Sequence, residues 1–396
     1  MSLRFPTLVS LFLLSLTLRA VPEAPLKDVI AASFTQAGKQ YEWMLAHLPA
    51  DAAKPLPRTF EGGKLVTIAP RDWTSGFFPG SMWYLFEATG DAKWRTEAEK
   101  FTALLESQKN NKGTHDVGFI LYCSYGNGLR LTRNPAYSSV LLNGAASLET
   151  RFNPIVGCLQ SWDARNGWDF PVIIDNMMNL ELLMWAGRNG DAKARDIAIK
   201  HADTTLKNHF RPDGSTFHVV DYDPNDGHVE HRVTHQGAAD DSAWARGQGW
   251  ALYGYTMMYR ETKDARYLAQ AEKTAGFIMN HPRLPADKIP YWDFDAPGIP
   301  NAARDASAGA LICSALYELS GYVDAKAGAT YAAFAEAQLR SLCSPQYLAA
   351  VGENGGFLIK HCTGNAPKNS EVDVPLNYGD YYFLEALLRA KARLKN

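Results

Sequence analysis

The chain repeats a phrase: an apolar helix rich in small residues, a turn of the Gly-Asp-Ala type, then a charged amphipathic helix. Trp73-Thr74-Ser75-Gly76-Phe77-Phe78-Pro79-Gly80 opens one apolar helix, which ends at Gly90-Asp91-Ala92 before a second helix through Phe101. Residues 175–185 repeat it, ending at Gly190-Asp191-Ala192 before a helix to His209. Residues 243–259 end at Lys263-Asp264-Ala265 before a helix over 267–279; residues 306–319 are followed by 329–342, and 374–388 supply a last helix of the apolar kind. Gly closes the first helix because it accepts a left-handed backbone cheaply, and Asp caps the next. A helix apolar on all sides must be surrounded by protein, whereas the charged one needs a single buried stripe. Hairpins of this kind predict concentric rings of helices, an all-α (α/α)6 barrel of six hairpins. The rival is an open superhelical solenoid. Long aromatic-bearing connections such as 216–243 favour the closed ring, since loops gathered at one end can wall a pocket. Short β-strands are predicted in the loops near 217–221 and 356–360.

No Pro/Ser-rich linker divides the 396 residues, so one catalytic-sized domain is expected over 26–396. Before it, Arg4, an apolar stretch over 8–18 and Leu18-Arg19-Ala20 read as a signal peptide covering 1–20, which predicts export, to the periplasm in a bacterial cell. The alternative, a buried N-terminal helix, meets Pro22 and Pro25 at once. A net charge of −2 offers no general attraction to nucleic acid or anionic membrane, so affinity for an acidic substrate must come from local Arg, Lys and His. Five cysteines without a C-x-x-C pair predict buried structural thiols rather than a disulfide framework.

Asp175 ends the apolar run Val172-Ile173-Ile174 and begins an amphipathic helix. By position it is an N-cap. By surroundings it is a desolvated carboxyl able to hold a proton near neutral pH. The helix dipole opposes that shift, and sequence leaves the contest open. Asp116, in His115-Asp116-Val117-Gly118-Phe119, is a turn residue or the second member of a carboxylate pair. Arg246-Gly247-Gln248-Gly249-Trp250 puts a guanidinium and an indole on one helix face, either to grip a carboxylate and stack on a sugar ring or as an Arg covering a core Trp. His231 and His235 with Glu230 or Asp240 raise a metal site, but no HExxH-type pattern accompanies them. Residues 361–368 (His-Cys-Thr-Gly-Asn-Ala-Pro-Lys) are either a solvated loop or a contact to a sulfate or neighbouring sugar.

His115-Asp116-Val117-Gly118-Phe119, Asp175-Asn176-Met177-Met178-Asn179, Arg246-Gly247-Gln248-Gly249-Trp250 and Tyr378-Gly379-Asp380-Tyr381-Tyr382 stand in the order seen in unsaturated glucuronyl hydrolases. Over about 26–388 the chain resembles that family, glycoside hydrolase family 88. The resemblance implies an (α/α)6 barrel with Asp175 as acid/base catalyst and Asp116 as the second essential carboxylate. It further implies a pocket lined by Trp73, Phe77, His115, Trp162, His218, Gln236, Arg246, Trp250 and Tyr378, with Trp168 one short insertion from Trp162. The implied substrate is an unsaturated uronate-terminated oligosaccharide of the kind polysaccharide lyases release. The implied chemistry hydrates its C4=C5 enol ether and needs neither metal nor organic cofactor; no nucleic-acid or membrane partner is expected. Competing readings are an unsaturated rhamnogalacturonyl hydrolase of the same fold, a direct glycosidase, a sugar epimerase and a non-catalytic carbohydrate-binding protein.

Overall fold

Six apolar helices form an inner ring in the computed structural model, which describes residues 24–394. The segment 1–20, read as an export signal, lies outside the described residues. The inner helices are α2 (Phe77–Thr89), α4 (Val117–Leu121), α7 (Asn176–Arg188), α9 (Ala245–Thr262), α11 (Ala306–Leu319) and α13 (Asn377–Arg393). Through a π-helical turn at Tyr122–Gly126, α4 runs on into α5 (Asn127–Thr132). Each inner helix packs on the next, and α13 returns to α2, so the ring closes rather than coiling as a solenoid. The outer partners are α3 (Ala92–Ala103), α6 (Pro135–Glu149), α8 (Ala192–Asn208), α10 (Ala265–Asn280) and α12 (Ala325–Leu342). The sixth is α1 (Leu26–His47), which packs on both α13 and α2. The chain's first helix therefore covers its last.

The hairpin α4–α5/α6 breaks the repeated phrase, which is why the sequence does not advertise it. Its turn is Arg133-Asn134-Pro135, with Arg133 left-handed (φ 58°) and the Asn134 side chain accepting from the Ala136 N–H. The other turns follow the expected chemistry. Gly90 is left-handed and donates to Phe86 O, while Asp91, Asp191, Asp264 and Asp324 each accept from a first-turn N–H. Close inner-ring packing depends on glycine: a Cβ on Gly76 would lie 2.2 Å from the Phe119 carbonyl oxygen.

Strands are confined to loops at one mouth of the ring. A three-stranded antiparallel sheet joins β5 (Pro171–Ile173), β6 (Val219–Tyr222) and β7 (Val229–Val233), close to the strand expected over 217–221. The strand expected over 356–360 is reduced to an isolated antiparallel bridge between Ile359 and Leu348. Leu358 O accepts from the Ala349 N–H and the Lys360 N–H donates to Tyr347 O, but the Leu358 and Ile359 N–H groups donate to the Asp380 carboxylate, at 2.9–3.0 Å, and the pairing goes no further. The strand starts later, as β8 (Cys362–Asn365), paired with β9 (Ser370–Val374). β1 (Leu56–Glu61) and β2 (Lys64–Ile68), and β3 (Phe152–Asn153) and β4 (Cys158–Leu159), make two further small sheets. No helix among the described residues is long and apolar enough to cross a membrane.

Candidate active site

The inner helices run the same way, so their N-terminal ends meet at one mouth of the ring and bring partial positive charge with them. There a cavity of about 260 Å³ is lined by Trp73, His115, Asp116, Trp162, Asp175, Gln236 and Tyr378, together with Arg58, Arg165, Ile173, His235, Gly364, Asn365, Ser370 and Glu371. Asp175 sits at the N-cap position of α7 but makes no capping hydrogen bond. Its Oδ2 is buried without a partner, 3.7 Å from His218 Nε2. Burial pushes its pKa up to about 7; the Arg246 charge pulls the other way, and Asp116 adds to the rise. Desolvation thus outweighs the lowering pulls, of which the Arg246 charge is the largest. The Trp250 indole N–H exerts a smaller lowering pull without closing a hydrogen bond.

Two histidines flank this pair of carboxylates. His218 Nδ1 accepts the backbone N–H groups of His235 and Gln236 at 3.1 and 3.2 Å. A neutral ring that accepts at Nδ1 carries its proton on Nε2, the atom facing Asp175. Burial holds the His218 pKa well below the ordinary imidazole value, so the neutral form is the one present near pH 7. Asp116 occupies the N-cap position of α4, takes a 2.6 Å hydrogen bond from Thr114 Oγ1 and lies 3.3 Å from His115 Nε2. Burial also lowers the His115 pKa, against the opposing pull of Asp116.

The aromatic and cationic residues divide into wall and support. Trp73 and Tyr378 form a wall, their ring centroids 5.2 Å apart. Phe77 lies behind them, fully buried against Trp73, Phe119 and Tyr378. Trp250 is likewise at 0 % exposure, packed on Phe119 and Tyr382, so it does not offer a face to a sugar. Arg246 is engaged mainly within the protein. Its Nη1 donates to Asp305 Oδ2 at 2.6 Å and Thr363 O at 2.5 Å, and its Nη2 to Gly364 O at 2.7 Å. Its two Nη groups are taken up by three protein acceptors, while its Nε is buried without a partner. Arg246 braces β8 and acts on Asp175 through its field. Gln236 Nε2 donates to the same Gly364 carbonyl, at 3.0 Å.

This constellation invites comparison with known proteins. Residues 58–390 match the model of glycosyl hydrolase family 88. The chain belongs to that family. It is 50% identical over 363 residues to an unsaturated glucuronyl hydrolase of Formosa agariphila, covering 89% of this chain and 90% of the relative. The crystal structure of an unsaturated glucuronyl hydrolase specific for heparin superposes with a TM-score of 0.90 at 49% identity, over 93% of this chain and 99% of that one. A mutant of the Streptococcus agalactiae enzyme in complex with dGlcA-GalNAc6S aligns at a TM-score of 0.79 and 28% identity, over 93% of each chain.

In this member of family 88, several wall residues escape motif reading because loops distant in sequence supply them. Arg58 on β1 lines the cavity, with Nε and Nη2 on Glu371 at 2.5 and 2.9 Å and Nη1 on Asp72. Arg165 lies 3.8 Å over the Trp162 ring, and Trp168 stacks on the same indole at 6.2 Å, so both tryptophans weighed for that position belong to one cluster. His235 packs on Trp162 at 5.1 Å and meets Lys368 Nζ at 3.2 Å through Nε2. The segment 361–368 accordingly splits: Asn365 lines the cavity and Lys368 reaches His235, while His361 turns outward to Asp373 at 2.6 Å. The metal grouping raised for His231 and His235 does not form among the described residues. A different trio, Asp223, Asp226 and His228, lies together on the partly exposed β6–β7 turn, where Asp226 already occupies His228 Nδ1 at 2.6 Å.

Proposed function

We propose that the chain releases 4,5-unsaturated glucuronic acid from lyase-generated oligosaccharides by hydrating the C4=C5 double bond, with Asp175 as general acid and then base. The observation that carries this reading is a buried carboxyl whose pKa is pushed up to about 7, at the wall of a polar cavity that it shares with a second carboxylate. Near neutral pH such a group holds a proton and can still release it. Asp175 protonates C4, and positive charge develops at C5, shared with the ring oxygen. Water adds at C5 while Asp175 takes one of its protons. The resulting hemiketal opens and the neighbouring sugar leaves, with no attack at C1. Asp116 stabilises the cation electrostatically and orients the ring. His218, with its proton on Nε2, steadies the carboxylate once Asp175 has given up its own.

The substrate carboxylate enters at the positive ends of the inner helices, where Arg246 adds its charge. Trp73 and Tyr378 face the sugar. The relatives named for heparin and bound to dGlcA-GalNAc6S support a leaving sugar from a sulfated or otherwise acidic glycan. We also propose that the mature chain acts after export, on the strength of the apolar segment at 1–20; the N-terminal residue of the protein recovered from its host tests this. The activity is tested by following the ultraviolet absorbance of the conjugated double bond in a panel of unsaturated disaccharides. Absorbance should fall with the wild type and stay constant with Asp175→Asn, while the variant still binds the sugar. Free neighbouring sugar appearing with the double bond intact would point to direct glycosidase action and sink the reading.

A further inference from the structure

The geometry points to Arg165 as a specificity residue that binds an oxyanion, a sulfate ester or carboxylate, on the sugar leaving the cavity. This deepens the reading above and rests on it. Arg165 belongs to a short turn closed by backbone bonds between Arg165 and Trp168, at 2.9 and 3.0 Å. Its guanidinium carbon lies over the Trp162 ring, 3.8 Å from the centroid. A guanidinium stacked on an indole is held in place through its face, leaving the N–H groups at its edge free to meet two oxygens of one anion.

Nothing in the protein uses that edge. Among the described residues Arg165 forms no ion pair, although most pocket and ring arginines do: Arg58 with Asp72 and Glu371, Arg151 with Asp163, Arg246 with Asp305. The acidic residue nearest in sequence, Asp163, is thus already taken. Arg165 is exposed at the cavity rim, and partial desolvation there pulls its pKa down with no carboxylate to restore it. Across His235, whose pKa burial and the two cations push down to about 4, stands the Lys368 ammonium. A neutral imidazole between two cations adds no counter-charge. The cavity therefore has one side whose cations lack carboxylate partners, beside the Asp116 and Asp175 side where the unsaturated ring is placed. A negative group on the next sugar fits there; a neutral sugar leaves the guanidinium unanswered.

The test measures kcat/KM for unsaturated disaccharides whose leaving sugar is sulfated, carboxylated or neutral, with wild type, Arg165→Met and Arg165→Lys. Methionine keeps an apolar cover on Trp162 and removes the charge; lysine keeps the charge and removes the fork. The expected result is a tenfold or greater fall in the anionic-to-neutral ratio for Arg165→Met, mostly in KM, with partial recovery in Arg165→Lys. Whichever anionic substrate shows the larger fall identifies the group. An unchanged ratio in Arg165→Met, whether both substrates weaken together or neither does, would assign Arg165 to packing and overturn the inference. Wild type inactive on every unsaturated uronide would instead remove the proposed function, so the two failures are distinguishable.

Discussion

Replacing Asp175 with Asn should abolish turnover and make the protein more stable, by an amount set by pH. The native carboxyl titrates near 7 against an ordinary value of 3.8. Its folded pKa is raised, so the native state binds the proton more tightly than the unfolded chain, and the wild type loses stability as pH rises between the two values. Asparagine is neutral throughout and escapes that loss. At about 1.4 kcal/mol per pKa unit, the gain of Asp175→Asn over wild type is small near pH 4. It grows by roughly that amount per pH unit and levels off near 4 kcal/mol above pH 7. Asp380, also buried and titrating near 7, is present in both proteins and cancels from the difference. Urea denaturation of the two proteins at closely spaced pH values from 4 to 8 measures the gain directly. A variant no more stable than wild type, or a gain that ignores pH, would show that burial does not protonate Asp175 and would remove the physical basis for its role as an acid.

The same shift sets the rate. The acid form dominates below about 7 and is lost above it, so kcat/KM should fall close to tenfold per pH unit on the alkaline side; an ordinary carboxyl would leave roughly one molecule in a thousand protonated at neutral pH. Asp116 raises the Asp175 pKa, so Asp116→Asn should move the alkaline limb of whatever activity remains to lower pH, as a pH–rate profile would show. Arg246 lowers it, so Arg246→Met should move that limb the opposite way. The same variant strands Asp305, at 0 % exposure, and should cost about 3–5 kcal/mol in a denaturant titration. Gly76→Ala would drive a Cβ into the Phe119 and Ile120 carbonyls and should destabilise the protein by at least the roughly 1–3 kcal/mol typical of core overpacking, read as a lowered thermal midpoint.

Helix periodicity and capping chemistry made the ring legible in the sequence, because both are local: an apolar helix followed by Gly-Asp-Ala announces itself within about twenty residues. The hairpin α4–α5/α6 was hidden because Asn134 and Pro135 replace that turn and a π-helical step interrupts its inner helix. Asp116 and Asp175 could be chosen beforehand because each stands where an inner helix begins. Which of the remaining motif residues face the cavity could not. Phe77, Trp250 and Arg246 have the residue types a sugar site uses, yet the ring turns the first two into core and locks the third onto Asp305 and β8. Arg58, Arg165, His235 and Glu371 reach the wall from loops that sequence spacing does not relate. The sequence alone determined the periodic helices, the caps and the two carboxylates, since these follow from neighbours along the chain. Tertiary structure decided which side chain is desolvated and which cation is already neutralised, because desolvation and charge pairing depend on what lies across the ring.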